Sequence, residues 1–165
     1  MIRHAGPQDV EPILAMVAEL ADYERSSDQA RMTAVQLHTA LFGPAPALFG
    51  NVAVDAAGQP VGFALWFLNF STWAGTHGIY LEDLYVRPAA RGGGYGKELL
   101  RALAALCVER GYARLEWWVL DWNQPAMDFY RAAGAVAMDE WTVFRLTGPA
   151  LARFSGPGTP RATPA

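Results

Sequence analysis

The chain has 165 residues, with 16 Asp and Glu against 13 Lys and Arg, a formal net charge of −3 and 52% hydrophobic residues. This length and composition indicate one folded domain with a real core, and they exclude an intrinsically disordered protein. The slight negative charge argues against a nucleic-acid-binding function, for which a basic face is expected.

In the first half of the chain we predict a short strand, then two helices, then a meander of strands. Apolar residues at helical spacing follow a short first strand, and Thr33 and Gln36 have the spacing of a capping box. Gly58 and Pro60 mark a turn between two strands. The predicted elements are a strand at 1–5, helices at 6–24 and 33–43, two strands within 48–70, and a strand at 78–88.

The second half is predicted to alternate helices and strands. A glycine-rich loop leads into an amphipathic helix that ends at Gly111, and a short helix follows Asn123 and ends at Gly134. The strands "ARLEWWVL" and "WTVFRL" complete the pattern. We therefore expect an α/β (α+β) fold, in which a mixed, mostly antiparallel sheet carries helices on both faces.

The glycine loop "RPAARGGGYGKELL", residues 87–100, has the composition of a phosphate-binding loop. A P-loop NTPase motif fails because Arg91 stands where a glycine is needed and Glu98 stands where a Ser or Thr is needed. A dinucleotide fingerprint also fails, because its third glycine would fall on Lys97 or Leu99.

A third pattern, Arg/Gln-x-x-Gly-x-Gly/Ala between a strand and a helix, fits Arg91, Gly94 and Gly96. Successive N–H groups and the helix N-terminus can hold a pyrophosphate there without a metal. The loop resembles the coenzyme A loop of the GNAT (Gcn5-related) N-acetyltransferases, although a flexible surface turn is the alternative. From residue 1 to about 154 the chain resembles the diamine (spermidine/spermine) acetyltransferase branch, in the segments "ELADYE", "GFALWFLNFSTW", "YLEDLYV", "DWNQPAMDFY" and "EWTVFRL".

The resemblance implies that acetyl-CoA is the acetyl donor and that no metal takes part. It implies that the backbone of Leu84, Tyr85 and Val86 meets the pantetheine arm. The remaining cofactor-binding residues that it implies are Arg91, Gly92, Gly93, Gly94, Tyr95, Gly96, Lys97, Asn123, Gln124, Pro125, Ala126 and Tyr130.

Tyr130 and Glu82 are the catalytic residues that the resemblance implies. A tyrosine pKa of about 10 keeps the phenol protonated at neutral pH, ready to protonate a departing thiolate. Simple aromatic packing beside Phe129 is the alternative. Glu82 would face the amine and take its proton directly or through water; its alternative is a structural pair with Arg114 or Arg145.

The other predicted substrate-binding residues supply negative charge and aromatic rings. Adjacent strand residues face opposite sides, so at least one of Glu82 and Asp83 is expected to face packed structure. Glu116 and Trp118 would share one face of their strand and form an anionic and aromatic wall, although polyamine enzymes of this branch differ where Glu116 stands. The resemblance adds Tyr23 and Glu24, and Trp117 lies in the same strand as the wall.

The sequence thus predicts an N-acetyltransferase for a diamine, polyamine or lysine analogue, acting by direct attack in a ternary complex. A non-catalytic acyl-CoA-binding regulatory module and a GNAT enzyme for protein, peptide or drug amines stay open as alternatives. The lone Cys107 suits a reducing compartment and no apolar leader is present, so we expect a cytoplasmic protein with no nucleic-acid or membrane partner. The resemblance implies a homodimer. Residues 1–154 are expected to form the domain and 155–165 a loose tail.

Overall fold

The structure, a computed structural model, describes residues 1–156. Its contacts divide the chain into two compact units, of which one spans Met1–Gln124 and the other begins at Pro125. The expected tail at 155–165 lies outside the described residues, apart from Ser155 and Gly156.

The first unit contains one sheet and three long helices. Its strands are β1 (Ile2–His4), β2 (Phe49–Val54), β3 (Pro60–Ser71), β4 (Thr76–Val86) and β5 (Leu115–Glu116), and its helices are α1 (Val10–Tyr23), α2 (Ala34–Phe42) and α3 (Tyr95–Arg110). The predicted capping box is present, because the Gln36 N–H donates to Thr33 Oγ1 at 3.2 Å and the Thr33 N–H donates to Gln36 Oε1 at 2.9 Å. Gly111 ends α3 with a φ of +66°, as expected for a glycine cap.

The sheet has the strand order β1-β2-β3-β4-β5. Every neighbouring pair is antiparallel except β4 and β5, which run parallel. The prediction of a mixed, mostly antiparallel sheet is therefore confirmed.

Helices cover both faces of this sheet. Val52, Phe63 and Tyr85 are cross-strand neighbours, so they share a face, and they pack in one buried core with residues of α1 and α2. On the opposite face α3 packs against β1 to β4 with its buried side chains Leu99, Leu100, Leu103 and Cys107. The prediction that Cys107 is a small buried hydrophobe is confirmed, and burial raises the pKa of its thiol.

Two of the predicted strands differ from the structure. The segment "ARLEWWVL" forms a strand only at Leu115–Glu116, because β5 leaves β4 after this pair. The segment "WTVFRL" at 141–146 forms no strand within residues 1–156. A strand needs a neighbour for its N–H and C=O groups, and the apolar side chains of this segment are exposed, with Phe144 at 92%.

The second unit contains most of α4 (Gln124–Ala132) and a helix that the sequence pattern did not predict, α5 (Gly148–Ser155). Pro149 stands in the first turn of α5, where its missing N–H costs nothing. Among the described helices, none combines the length and the apolar character that a membrane crossing requires.

An ion pair between Arg3 and the buried Asp9 fixes the start of α1 to β1. The Asp9 side chain is 1% exposed and accepts hydrogen bonds from Arg3 Nη1 at 2.6 Å, Arg3 Nη2 at 2.8 Å and the Gly6 N–H at 2.7 Å. Burial by itself would raise the pKa of Asp9, but the bonds from Arg3 and Gly6 outweigh burial and lower this pKa. Asp9 therefore contributes stability only while it is ionised.

The Asp9→Asn variant is expected to lose about 1–3 kcal/mol of unfolding free energy at neutral pH, because one partner of a buried, charged hydrogen-bond set is removed. The pKa of Asp9 is lowered below 3.8, so the loss is full above that pH and disappears as pH falls through the folded-state pKa. Urea unfolding as a function of pH measures it, with the exposed Glu11→Gln substitution as control. An equal loss in both variants would contradict the assignment.

Candidate active site

The glycine loop leaves three N–H groups of α3 without an acceptor. Gly92 and Gly94 have φ values of +82° and +80°, a left-handed backbone conformation that residues other than glycine rarely adopt. Gly94 caps α3 without a side-chain bond, and the first closing bond runs from the Glu98 N–H to Gly94 O at 3.0 Å. The N–H groups of Tyr95, Gly96 and Lys97 find no acceptor within residues 1–156. This end of α3 can therefore bind an anion.

The strand that leads to this loop has an open edge. β4 pairs with β5 only at Ile79 and Tyr80, and no strand within residues 1–156 pairs with its outer edge beyond that point. Leu84, Tyr85 and Val86 lie on this stretch, and Arg91 Nε donates to Val86 O at 3.0 Å. An unpaired edge offers N–H and C=O groups to an extended ligand.

Arg91 joins the loop to an aromatic cluster. Its guanidinium lies 5.3 Å from the ring centre of Tyr23 and 5.8 Å from that of Tyr85. The Tyr23 hydroxyl donates to Asn123 Oδ1 at 3.4 Å, and its ring lies 6.0 Å from that of Trp122. The structure thus brings together four predicted site residues that come from distant parts of the chain.

A β-bulge in β4 sets the direction of the two acidic residues. Leu65 pairs with Asp83 and Trp66 pairs with Leu81, so Glu82 is the extra residue. Asp83 shares the face of Leu65, which is the face that α1 covers, whereas Glu82 is exposed. The expectation that one acid faces packed structure holds for Asp83.

Asp83 belongs to a group of three carboxylates. It is half-buried, and burial, followed by the charges of Glu82 and Glu24, raises its pKa to about 6. Burial also raises the pKa of Glu24. No set of three or more His, Cys, Asp or Glu side chains within residues 1–156 is placed to hold a metal ion. The three carboxylates, called the acidic cluster below, favour a bound cation such as an alkylammonium.

Glu116 takes part in a different polar network, farther back on the same face of the sheet. Its Oε1 accepts from Asn69 Nδ2 at 2.5 Å and its Oε2 lies 3.1 Å from Arg114 Nε. The carboxylate of Glu116, which was predicted to form part of an anionic wall, is therefore paired with the positively charged guanidinium of Arg114. Of the two arginines considered as partners of Glu82, Arg114 pairs with Glu116.

Aromatic rings continue this face. The Tyr80 ring stacks on Phe67 at 4.9 Å and meets the Trp118 ring edge-on at 5.7 Å. Tyr80 is also the strand neighbour of Glu116, so Glu116 and Trp118 both lie beside one ring. Trp117 lies between them in sequence and is half-buried.

Comparison with known proteins identifies the family to which this chain belongs. The family model described as the acetyltransferase (GNAT) family matches residues 13–135. The chain belongs to the GNAT acetyltransferase family. It is 39% identical to a thialysine N-epsilon-acetyltransferase of Bos taurus over 94% of this chain and 97% of that one.

Two further relatives have other names. An L-ornithine N5-acetyltransferase of Arabidopsis thaliana is 44% identical over 54% of this chain and 40% of that one. Among solved structures, an integron cassette protein of V. cholerae aligns with a TM-score of 0.79 at 25% identity, covering 95% of this chain and 98% of that chain. The acetyltransferase is thus an enzyme of the class that its loop and strand motifs predict.

In the second unit of the acetyltransferase, α4 carries Pro125, Ala126 and Tyr130. Tyr130 is half-buried with its ring 5.2 Å from that of Phe129, and its carbonyl accepts from the Ala135 N–H at 3.1 Å. Gly134 turns the chain there with a φ of +92°, as predicted. Gln124 opens α4 as the last residue of the first unit.

Sequence analysis of the acetyltransferase missed Arg25, Trp122 and Asn69, which the structure places among the predicted residues. Arg25, in a left-handed conformation with φ +58°, follows the C-terminal end of α1 and lies over Trp122 at 5.4 Å. Asn69 joins Glu116 from an apolar strand. A polar residue inside "FALWFLNF" was the available signal for Asn69, because a polar group on a covered face needs a partner.

Proposed function

We propose that this acetyltransferase transfers the acetyl group of acetyl-CoA to a primary amine of a small cationic substrate by direct attack in a ternary complex. The substrate class is a diamine, polyamine or lysine analogue. The observation that carries the proposal is that one strand, β4, presents carboxylates for a cation and then leads into a loop with unsatisfied N–H groups for an anion.

The donor side of the proposed site is built from main-chain groups. The N–H groups of residues 95–97 and the positive end of the α3 dipole suit a diphosphate, with Arg91 and Lys97 beside them. The open edge at residues 84–86 suits an extended arm with amide groups. When bound, acetyl-CoA supplies an acetyl thioester; the glycines 92–94 and the residues 123–126 are proposed to hold the rest of it.

The acceptor side of the proposed site is anionic and aromatic. The acidic cluster would hold the ammonium group, and Tyr23, Trp117 and Trp118 would supply aromatic surface near the aliphatic chain. A free alkylamine has a pKa of about 10.4, so the site has to bind the charged form and then remove a proton. Glu82, exposed at the bulge, would take that proton directly or through water.

The departing thiolate also needs a proton. At neutral pH a thiol with a pKa of about 8.5 is protonated at equilibrium. A tyrosine with a pKa of about 10 can donate that proton as the C–S bond breaks and then regain one from solvent. We assign this role to Tyr130 because of its position in the "DFY" motif that resembles the family pattern. Relatives named for thialysine and ornithine support a primary amine as acceptor.

The same resemblance extends to the setting of the enzyme. We propose a homodimer that works in the cytoplasm, with residues 1–154 as one domain and no nucleic acid, membrane or metal as partner. The exposed apolar side chains of segment 141–146 support the dimer, because apolar patches of this kind mark protein interfaces. Sedimentation of the full chain would measure the oligomeric state.

Release of free CoA from acetyl-CoA, measured across a panel of amines, tests the proposed function. Ornithine, thialysine, 1,4-diaminobutane and spermidine are expected to be acetylated more efficiently than a peptide N-terminus. Tight CoA binding without turnover of any amine would instead favour the acyl-CoA-binding module. A peptide or aminoglycoside that outcompetes the diamines would instead favour an enzyme that acetylates protein, peptide or drug amines.

The Gly94→Ala variant is expected to bind CoA about 5–30-fold more weakly, because holding a left-handed alanine in the loop costs about 1–2 kcal/mol. Gly111→Ala is a matched control, since Gly111 has a similar φ of +66° and equally open surroundings at the other end of α3. Calorimetric titration with CoA distinguishes the two. Equal CoA affinity in both variants would remove the loop from the binding site.

A further inference from the structure

We propose that Arg114 binds the carboxylate of an amino-acid substrate, and so makes the enzyme select a diamino acid over the corresponding plain diamine. This inference rests on the proposed function and concerns the far end of the substrate rather than the reacting amine. It assigns a specificity role to an arginine that neither the donor site nor the acidic cluster uses.

The Arg114 side chain is placed by a gap in the sheet. Gly78 on β4 has no side chain, and a Cβ built there would lie 2.7 Å from Arg114 Cγ and 2.6 Å from Asn69 Oδ1. Any other residue at Gly78 would push the two side chains apart. Asn69 and Arg114 therefore approach each other over the backbone of Gly78, on the face that also carries Glu116.

Glu116 holds the Arg114 guanidinium in one direction. Its two oxygens are each engaged, one by Asn69 Nδ2 at 2.5 Å and the other by Arg114 Nε at 3.1 Å. Asn69 Oδ1 is buried without a hydrogen-bond partner among residues 1–156, which means that the amide is oriented toward Glu116 rather than satisfied on both sides. Asn69 and Glu116 thus act as positioning residues for Arg114.

The oriented guanidinium keeps donors for a ligand. Glu116 engages Nε, whereas Nη1 and Nη2 make no hydrogen bond or ion pair within residues 1–156. The Arg114 side chain is 40% exposed, so these donors can be reached from solvent. A guanidinium with two parallel N–H donors matches a carboxylate, and its orientation by Glu116 lowers the entropy lost on binding.

The distance from the acidic cluster fits a short diamino acid. Tyr80 is the strand neighbour of Glu116 and precedes Asp83 by three residues on the same strand. At about 3.3 Å per residue, Asp83 lies about 10 Å along β4 from the level of Glu116, which the Arg114 side chain reaches although the Arg114 backbone lies farther back, beside Gly78. This distance is covered by a diamino acid whose carboxylate and side-chain ammonium are separated by four carbons or by five atoms, with a hydrogen bond of about 2.9 Å at each end. A plain diamine or polyamine would place its second ammonium beside Arg114 without the carboxylate that offsets this charge in a diamino acid.

Ornithine and 1,4-diaminobutane test the inference because they differ only by the carboxylate. The wild-type enzyme is expected to prefer ornithine in kcat/KM by about 10–100-fold, the range for a charged hydrogen-bonded pair. In Arg114→Gln this preference should fall to within about threefold, through a higher KM for ornithine, while kcat/KM for 1,4-diaminobutane stays equal or rises. Arg101→Gln is the matched control, because Arg101 pairs with Glu98 on the exposed surface of α3.

Two further variants keep the test independent of a folding defect. Arg114→Lys retains the charge without the planar fork and should recover only part of the preference, and Glu116→Gln should reduce it while Arg114 is still present. An unchanged preference in Arg114→Gln, with both substrates still acetylated, overturns this inference and leaves the proposed function intact. Absence of acetylation of any amine overturns both.

Discussion

Replacing Tyr130 with Phe is expected to lower kcat by about 10²–10⁴-fold, the range that a positioned general acid contributes. The substitution removes only the hydroxyl, so the ring keeps its place beside Phe129 and the helix keeps its cap at Gly134. The Kd for CoA is expected to change by less than about threefold. Steady-state acetylation of ornithine measures kcat, and calorimetric titration with CoA measures the Kd.

A packing role for Tyr130 makes the opposite prediction. If the Tyr130 ring contributed only packing beside Phe129, the Tyr130→Phe variant would have nearly the turnover of the wild type. Phe129→Leu, which disturbs the same aromatic contact, would in that case be the more damaging change. A larger loss of kcat in Phe129→Leu than in Tyr130→Phe would therefore remove Tyr130 from the chemistry.

Local signals in the sequence predicted most of the first unit. The capping box at Thr33, the glycine caps and the glycine loop depend on residues within a few positions of one another, so a single chain specifies them. The failure at 141–146 has the converse cause. An alternating apolar pattern expresses only a preference for extended backbone, and a strand forms only where a partner strand is available.

The arrangement of the site depends on contacts that sequence spacing does not encode. Strict alternation predicts that Glu82 and Asp83 lie on opposite faces, but it does not say which of them faces packed structure. The bulge makes Glu82 the extra, exposed residue and places Asp83 on the face that α1 covers. The charge of Glu116 was visible in the sequence, but its pairing with Arg114 and Asn69 joins two strands across Gly78. Long-range side-chain pairing of this kind decides whether a carboxylate is available to a substrate.

Asp83→Asn is expected to remove a limb with an apparent pKa near 6 from the pH dependence of catalysis. The pKa of Asp83 is raised to about 6 by burial and by the neighbouring charges of Glu82 and Glu24. Below that pH the free enzyme presents a neutral acid to the ammonium, so kcat/KM for the wild type should fall with an apparent pKa near 6. In Asp83→Asn that limb should disappear, and KM at pH 8 should rise by about 10–100-fold as one charged hydrogen bond is lost.

The wild-type profile of kcat should differ from that of kcat/KM. A bound ammonium stabilises the ionised carboxylate, so the limb seen in kcat should lie at lower pH than the limb seen in kcat/KM. Because three carboxylates interact, the apparent pKa belongs to the acidic cluster, and Glu82→Gln should shift it downward by removing one negative charge. Glu109→Gln, an exposed substitution on α3, is the matched control and should leave both profiles unchanged.

Stability provides a readout of Asp83 that is independent of activity. A carboxyl whose folded-state pKa lies above its ordinary value of 3.8 destabilises the folded chain when it ionises. The Asp83→Asn variant should therefore unfold at a higher temperature than the wild type at pH 8, and the difference should shrink as pH falls through 6 and vanish below about 4. A variant that is less active but more stable at high pH is the expected signature of a charge held for substrate binding. Equal stability at every pH, with kcat/KM unchanged, would place Asp83 outside the site.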